Sequence, residues 1–303
     1  MIEVFKPGRC DLVMDAGRPG WGALGVPIGG AADAWALAEA NACVGNPADA
    51  AGLELLLAGP VLHFPLGGIV ALTGARFEAH RSSGAPVVWN SPVALAAGET
   101  LTLGKAQSGC RSWLAVQGGI AVPLLLGSRS TFLPSGFGGH EGRALKAGDV
   151  LACGRANLPL ETLRPASPAA NLDKDTPLRL VAGPQTGLFE DAGLAAFFGG
   201  RYRVGAASDR RVLRLHGPAV TCARTELASQ GVLPGAVQVP PDGQPIILGW
   251  DGPVTGGYPV IGCVIRADHP RLAQLQPGDA VCFETVSVEQ AQALAATQTG
   301  GAR

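Results

Sequence analysis

Asp15-Ala-Gly-Arg18-Pro-Gly-Trp-Gly-Ala-Leu-Gly-Val-Pro27-Ile-Gly-Gly-Ala-Ala-Asp33, followed at once by Ala34 to Val44, decides how this chain is read. Six glycines and two prolines make the first part too irregular for an ordinary helix or strand. Glycine is used where backbone takes unusual angles or comes close to something. The second part reads as a helix over Asp33–Val44, stopped by Gly45-Asn46-Pro47. A glycine loop that presents Asp15 and Arg18 and feeds a helix has the makings of a site. It is equally the makings of a tight turn region with an ion pair.

Outward from this run, the 303-residue chain is punctuated throughout: it carries 44 glycines and 24 prolines. The apolar blocks between them are short and rich in Val, Leu and Ile, which predicts many short strands. Candidates are Ile2–Phe5, Val61–Phe64, Ile69–Leu72, Val87–Trp89, Thr100–Leu103, Ser112–Val116, Val150–Ala152, Arg179–Val181, Val212–Leu215, Ala236–Val239, Ile246–Leu248 and Ala280–Phe283. Helices are few: besides Asp33–Val44, the pattern predicts Thr186–Phe198 and Ser287–Thr297, the last with Ser287 and Gln290 at capping-box spacing. Asn157 to Pro177 holds four prolines and no hydrophobic period, so a domain boundary is expected there. The expected layout is an N-terminal β domain over 1–157 with the glycine-rich loop, a C-terminal β-barrel over 177–286, and a helix and tail over 287–303.

Net charge is −1 and charged residues make up 16% of the chain, which gives no pull toward nucleic acid or an anionic membrane. The N-terminal stretch has no signal-peptide pattern, and no apolar run approaches membrane-spanning length. Seven scattered cysteines fit reduced thiols and a cytoplasmic location. The five histidines are far apart, so no metal site is expected. There is no Walker A sequence and no Gly-x-Ser-x-Gly elbow. Gly20-Trp-Gly22-Ala-Leu-Gly25 spells G-x-G-x-x-G, but it leads into Val-Pro-Ile-Gly-Gly and lacks the strand-to-helix context of a dinucleotide site.

The opening run resembles the "Q-D-x-G-R-x-G … G-V-P-x-S-G-A-x-D" start of the allophanate hydrolase subunit 2 family, also called the KipA or 5-oxoprolinase C-subunit family. That family includes the carboxyltransferase half of urea carboxylase. Further blocks follow in the family's order: Asn41 to Leu55, Ala71 to Ala75, Gly127-Ser-Arg-Ser-Thr131, Gly138 to Asp149, Gly183-Pro-Gln185, Gly235 to Pro245 and Thr255-Gly-Gly-Tyr-Pro259. The resemblance spans roughly residues 4 to 284 and implies a mainly β fold with two cyclophilin-like β-barrel units and a few short helices. There are departures. Met14 stands where the family has Gln, the usual Ser-Asp-Arg-Met-Gly-Tyr-Arg-Leu reads Ser208 to Leu215 without Met-Gly-Tyr, and Leu248-Gly-Trp250-Asp251 replaces Leu-Met/Leu-Ala-Asp. These put Asp209 and Arg210 in doubt as site residues.

Within these blocks, catalytic candidates are Asp15, Arg18, His140 and Asp251. Arg18 would hold a carboxylate or ureido oxygen, and Asp15 would orient it or accept a proton. Histidine is the residue type suited to shuttling a proton near neutrality, which marks His140, and Asp251 is the acid suspected of a base role. Substrate-binding candidates are Asp33, Asn41, Arg129, Arg143, Gln238, Gln244, Thr255 and Tyr258. Asp33 also suits the helix N-cap. Amides and a hydroxyl read an amide or ureido group without charge.

The resemblance implies three functions. One is a subunit of an ATP-dependent 5-oxoprolinase complex, with a KipI-like (B-type) protein and a hydantoinase-like (A-type) protein as partners. ATP would be handled through the complex. A second is the carboxyltransferase of a urea carboxylase-like system with biotin supplied in trans, since no Met-Lys-Met acceptor motif is present. The third is a non-enzymatic regulator that binds a KipI-like kinase inhibitor.

Overall fold

The computed structural model describes residues 1–155, 158–166 and 176–300. Contacts divide the chain into two units: Met1–Arg18 with Gly29–Ala170, and Pro19–Ile28 with Asn171–Arg303. Most of the expected linker lies outside the described residues. The glycine-rich run is therefore shared: Asp15 and Arg18 count with the first unit, and Pro19–Ile28 with the second.

The first unit holds β1 (Ile2–Lys6), β2 (Asp11–Met14), α1 (Ala34–Cys43), β3 (Gly52–Leu56), β4 (Val61–Phe64), β5 (Gly68–Gly74), β6 (Phe77–Arg81), β7 (Val93–Leu95), β8 (Glu99–Ala106), β9 (Arg111–Val116) and β10 (Val150–Leu151). They form two five-stranded sheets, ordered β10-β1-β4-β8-β6 and β2-β3-β9-β5-β7. Strand alternation gives each sheet one apolar face. In the second sheet Val13, Leu53, Leu114 and Leu72 lie in one row across four strands. They join Val4, Leu62 and Leu101 of the first sheet in a single buried core. The other face of the second sheet carries small residues, Ala71 and Ala115, on which Ala40, Cys43 and Val44 of the α1 region pack. Thr73 Oγ1 fastens the helix by donating to the Ala36 carbonyl at 2.7 Å. Gly52 is needed beneath it, because a Cβ there would stand 2.7 Å from the Leu114 carbonyl oxygen.

The second unit holds β11 (Leu178–Ala182), α2 (Asp191–Gly199), β12 (Tyr202–Val204), β13 (Val212–His216), β14 (Gln230–Gly231), β15 (Ala236–Gln238), β16 (Ile246–Leu248), β17 (Thr255–Gly256), β18 (Val260–Val264), α3 (His269–Gln274), β19 (Ala280–Val281), β20 (Phe283–Thr285) and α4 (Val288–Gly300). Eight strands form one sheet ordered β19-β12-β13-β16-β15-β18-β11-β20. Its two end strands are consecutive in the chain, parted only by Cys282, so the sheet curls until its ends come close and the barrel is nearly closed. The two edge strands are short, two and three residues, which leaves little edge exposed. Leu180, Leu213, Leu215, Val237, Ile247 and Ile261 fill the inside. Phe197 of α2 stacks on Phe283 with centroids 4.6 Å apart.

The mainly β class with a nearly closed barrel sheet and a few short helices stands as read from the sequence, with α3 as a fourth helix that the sequence pattern does not predict. Ser287 and Gln290 form the expected reciprocal cap: Ser287 N–H donates to Gln290 Oε1 and Gln290 N–H to Ser287 Oγ. Three readings are corrected. Val87–Trp89 pairs with no strand and runs as a loop. Thr186–Phe198 is a single 3-10 turn, Thr186–Leu188, followed by α2 from Asp191. Ala280–Phe283 is two strands, since the chain changes neighbours at Cys282. No helix of the described residues is long and apolar enough to cross a membrane.

Two acids bear on stability. Burial pushes Asp33 and Asp11 each up to about 7. A carboxyl raised in the fold binds its proton more tightly than the unfolded chain does, so its stabilising effect is complete below about 4 and is lost as pH climbs through about 7. We expect melting temperature to fall over that window, with each group contributing at most ~1.4 kcal/mol per pH unit. Asp33→Asn keeps a capping side chain and should flatten the slope, raising stability relative to wild type at pH 8. An unchanged pH profile in thermal melts would refute the assignment.

Candidate functional site

In the first unit, Asp15 follows β2 and its carboxylate is ringed by donors. Oδ1 accepts from Gly17 N–H at 2.9 Å and from the hydroxyls of Ser128 and Ser130, each at 2.6 Å. Oδ2 accepts from the Arg129 N–H. The Asp15 N–H returns a bond to Ser130 Oγ. The Gly127–Thr131 block is thus a clamp whose alternate residues, Ser128 and Ser130, point at one carboxylate. Arg18 is 1% exposed, donates to the Ser130 carbonyl, and lies 4.9 Å from the Phe137 ring centroid. Asp15 anchors the clamp, with three of these four donors on Oδ1 and one on Oδ2. Arg18 braces the clamp from the other side, where a substrate carboxylate was expected.

The Gly138–Asp149 block packs on that clamp. A Cβ on Gly139, at φ +55°, would stand 1.9 Å from Thr131 Oγ1, and one on Gly138 would stand 2.2 Å from the Ser130 oxygen. Glu141 also takes a left-handed φ of 55°, a costly choice for a residue with a side chain. The loop sets His140 Nε2 3.4 Å from Asp149 Oδ1. Arg143 forks onto both Asp149 oxygens at 2.7 and 2.9 Å, and this holds the Asp149 carboxyl down at about 2. Arg143 is therefore committed to Asp149 and Glu141, which corrects its reading as a substrate ligand. His140 keeps its candidacy, with Asp149 as a neighbour that the sequence reading missed.

Two further first-unit candidates are structural. Asn41 is fully buried, donates to the carbonyls of Ala48 and Ala50, and accepts from Asn46, so it ties off the helix end. Asp33 caps α1 by accepting from the Ala36 N–H at 2.9 Å. Arg129 gives its side-chain Nε–H to the Val122 carbonyl.

In the second unit a cavity of about 630 Å³ opens between the glycine run and two turns. Ala23, Val26, Pro27 and Ile28 form one wall. Val232, Leu233, Trp250, Val254 and Thr255 form the other. No charged side chain lines it; Thr255 brings the hydroxyl. The G-x-G-x-x-G run ends in a one-turn 3-10 helix, Gly22–Leu24, and serves as wall, not as a phosphate loop. Below the turn, Asp251 is 3% exposed and pairs with Arg210, Nε to Oδ2 at 2.9 Å and Nη2 to Oδ1 at 3.3 Å. Gly249 makes this possible, since a Cβ would stand 2.2 Å from the Arg210 oxygen. Asp251 is a brace with both oxygens engaged, which argues against a base role. Arg210 keeps a place, while Asp209 only receives the Arg211 and Val212 N–H groups. Gln238 is buried beside Tyr258, donating to its carbonyl at 3.4 Å. Gln244 braces a turn through Gly217, away from the cavity wall.

Among the described residues no group of three or more His, Cys, Asp or Glu is arranged to hold a metal ion. The missed participants are Ser128, Ser130, Asp149 and Trp250, while Arg210, put in doubt from the sequence, is the partner of Asp251. Only the Ser-x-Ser spacing signals itself in sequence. Arg210→Ala should cost ~3–5 kcal/mol, the effect of stranding a buried carboxylate. Asp251→Asn leaves the buried Arg210 guanidinium without its counter-charge and should likewise cost several kcal/mol in denaturant melts, about 3–5, while leaving any turnover of the folded protein within a few-fold. A large turnover loss with unchanged stability would restore the base role.

The chain matches the family model "Carboxyltransferase domain, subdomain A and B" over residues 24–285. It is 41% identical to the 5-oxoprolinase C-subunit of Escherichia coli (strain K12), over 96% of this chain and 93% of that protein. Urea amidolyase of Lachancea kluyveri is 35% identical over 98% of this chain, which spans 17% of that protein. The solved urea carboxylase of Kluyveromyces lactis superposes with a TM-score of 0.92 at 32% identity, over 99% of this chain and 29% of that one. The chain belongs to the carboxyltransferase-domain family, subdomains A and B, and is homologous both to the 5-oxoprolinase C-subunit and to the matching part of urea amidolyase.

Proposed function

We propose that this chain is a subunit of an ATP-dependent 5-oxoprolinase complex that opens 5-oxoproline to glutamate. The observation that carries the reading is its 41% identity to a 5-oxoprolinase C-subunit, with both chains matched almost end to end. The cavity supports it: apolar walls with one hydroxyl and turn backbone suit a small lactam ring. Opening an unactivated amide with ATP needs a nucleotide site, and no Walker A sequence is present. We assign ATP handling to the partners, a KipI-like protein and a hydantoinase-like protein, in the cytoplasm.

A second reading is carboxyl transfer to a urea-type nitrogen from biotin brought by another protein. The superposition on a urea carboxylase favours it. The same Thr255 hydroxyl and turn backbone suit a ureido group equally well, so the two readings share a site and differ in partners.

Glutamate release from 5-oxoproline and ATP, with the two companions present and this chain added or withheld, decides between them. Release that depends on this chain is expected. No release from an assembled complex overturns the reading and turns the test to urea with a biotin carrier. Assembly without either activity would leave a KipA-type regulator. Within an active complex, Thr255→Val should raise KM about threefold to tenfold with kcat unchanged, the loss of one neutral hydrogen bond. An unaltered KM would remove the cavity from the substrate path.

A further inference from the structure

The Gly183-Pro-Gln185 block lies outside the Asp15 clamp, the cavity wall and the Asp251 brace. Its geometry is specific. A Cβ on Gly183 would stand 2.2 Å from the Val260 oxygen, so glycine lets this loop lie against β18. Thr186 Oγ1 donates to the Gly183 and Ile261 carbonyls and fixes the turn. The register of β15 against β18 shifts beside Gln238 and Val260. There the Val260 N–H donates to Gln185 Oε1 at 3.2 Å. Gln185 Nε2 then donates to Gln230 Oε1 at 2.9 Å.

The direction of this relay is fixed without telling amide nitrogen from oxygen. A backbone N–H only donates, so the Gln185 atom facing Val260 is oxygen and its other end is NH₂. The Gln230 atom facing that NH₂ is oxygen in turn. Gln230 must therefore turn its own NH₂ away from the relay. That Nε2 is sealed from solvent and has no hydrogen-bond partner among the described residues. An unmet buried donor is costly and asks for an acceptor. Gln230 pairs with Gly256 in the β14–β17 ribbon, and the next pair, Gly231 with Thr255, lines the cavity. The ribbon has two residue pairs, flanked by the Leu227 N–H to Gly257 and Val232 N–H to Val254 bonds, so opening it breaks one short run of bonds. A Cβ on Gly256 would stand 2.6 Å from Gln238 Nε2, which places a second amide nearby.

We infer that the Gln185–Gln230 relay is a binding subsite, reached by opening of the β14–β17 ribbon, for the neutral carbonyl oxygen of an amide, lactam or ureido group. Gln230 Nε2 donates to that oxygen, and Gln185 sets the polarity. The ligand class rests on the lactam or ureido reading above. Neutral amides on either side match a neutral carbonyl, which needs a donor and no counter-charge.

The test is a titration of the ¹⁵N-labelled chain with 5-oxoproline and, separately, with urea. The Gln230 side-chain NH₂ signals are identified by their absence in Gln230→Glu. They should shift saturably with at least one probe. Gln230→Glu keeps the acceptor for Gln185 and replaces the donor with a carboxylate oxygen, so melting should fall with the added buried charge and affinity should fall about tenfold or more. Unmoved Gln230 signals with both probes, or wild-type affinity in Gln230→Glu, overturns the subsite. Should that variant fail to fold, Gln185→Glu accepts from both Val260 and Gln230. It thereby turns the Gln230 amide round and should lose binding equally, and undiminished binding overturns the subsite. Glutamate release by the wild-type complex is read separately. Release with unmoved Gln230 signals sinks the subsite alone, and moved signals without release sink the oxoprolinase reading alone.

Discussion

The carboxylate of Asp15, taken out of water between two loops, sets the conditions for the first unit's irregular half. A buried carboxylate has to be met by donors, and here they come from three places: Gly17, the two serine hydroxyls and the Arg129 backbone. Each bond fixes a stretch of chain that has no ladder of its own. With Ser128 and Ser130 held, the following turn can lie directly on the Ser130–Thr131 backbone, so closely that side chains are excluded at Gly138 and Gly139. That turn in turn carries His140 to Asp149. The glycines of this region are a consequence of how near the backbone runs to the clamp, not of flexibility.

Much of the fold was legible because it follows from local rules. Short Val/Leu/Ile blocks between glycines and prolines marked the strands, and Asp33 and the Ser287–Gln290 pair marked two helix starts by capping chemistry. What escaped had tertiary causes. β3 (Gly52–Leu56) carries Glu54 in its middle, which breaks an apolar pattern. The acid faces the Ala32 N–H and Arg111, so it is a buried bracket and not a solvent-facing residue. The division of Ala280–Phe283 into two strands depends on which neighbours each half meets, and no single-strand pattern announces that the edges of a sheet will come close there.

The site was legible in a different sense. The blocks chosen for chemistry do gather, but most of their charged residues turn out to hold one another. Asp15, Asp251 and Asp149 each face donors supplied by the chain, and Arg18, Arg210 and Arg143 are among those that supply or support them. Residue type cannot separate an acid that acts on a ligand from one that fastens a loop, because both want a converging set of donors. The distinction lies in whether an oxygen is left over, and that depends on residues more than a hundred positions away, as Ser130 is from Asp15.

With these charges committed to one another, what remains has a different character. The cavity wall offers Thr255 and turn backbone, and Gln238 and Tyr258 lie beyond the ribbon. All are neutral, and none could hold a phosphate or a free metal ion strongly. A pocket built this way gains selectivity from shape and from the direction of a few hydrogen bonds. That suits molecules such as lactams and ureas, whose polar atoms are fixed on a small rigid frame. It also explains why one fold can serve relatives named for 5-oxoproline and for urea. Both substrates present a carbonyl flanked by N–H, so that part of the binding problem is shared, while 5-oxoproline adds a carboxylate that urea lacks. What differs between the two chemistries is how that group is activated, and shape and hydrogen-bond direction at a neutral wall leave that step open to either.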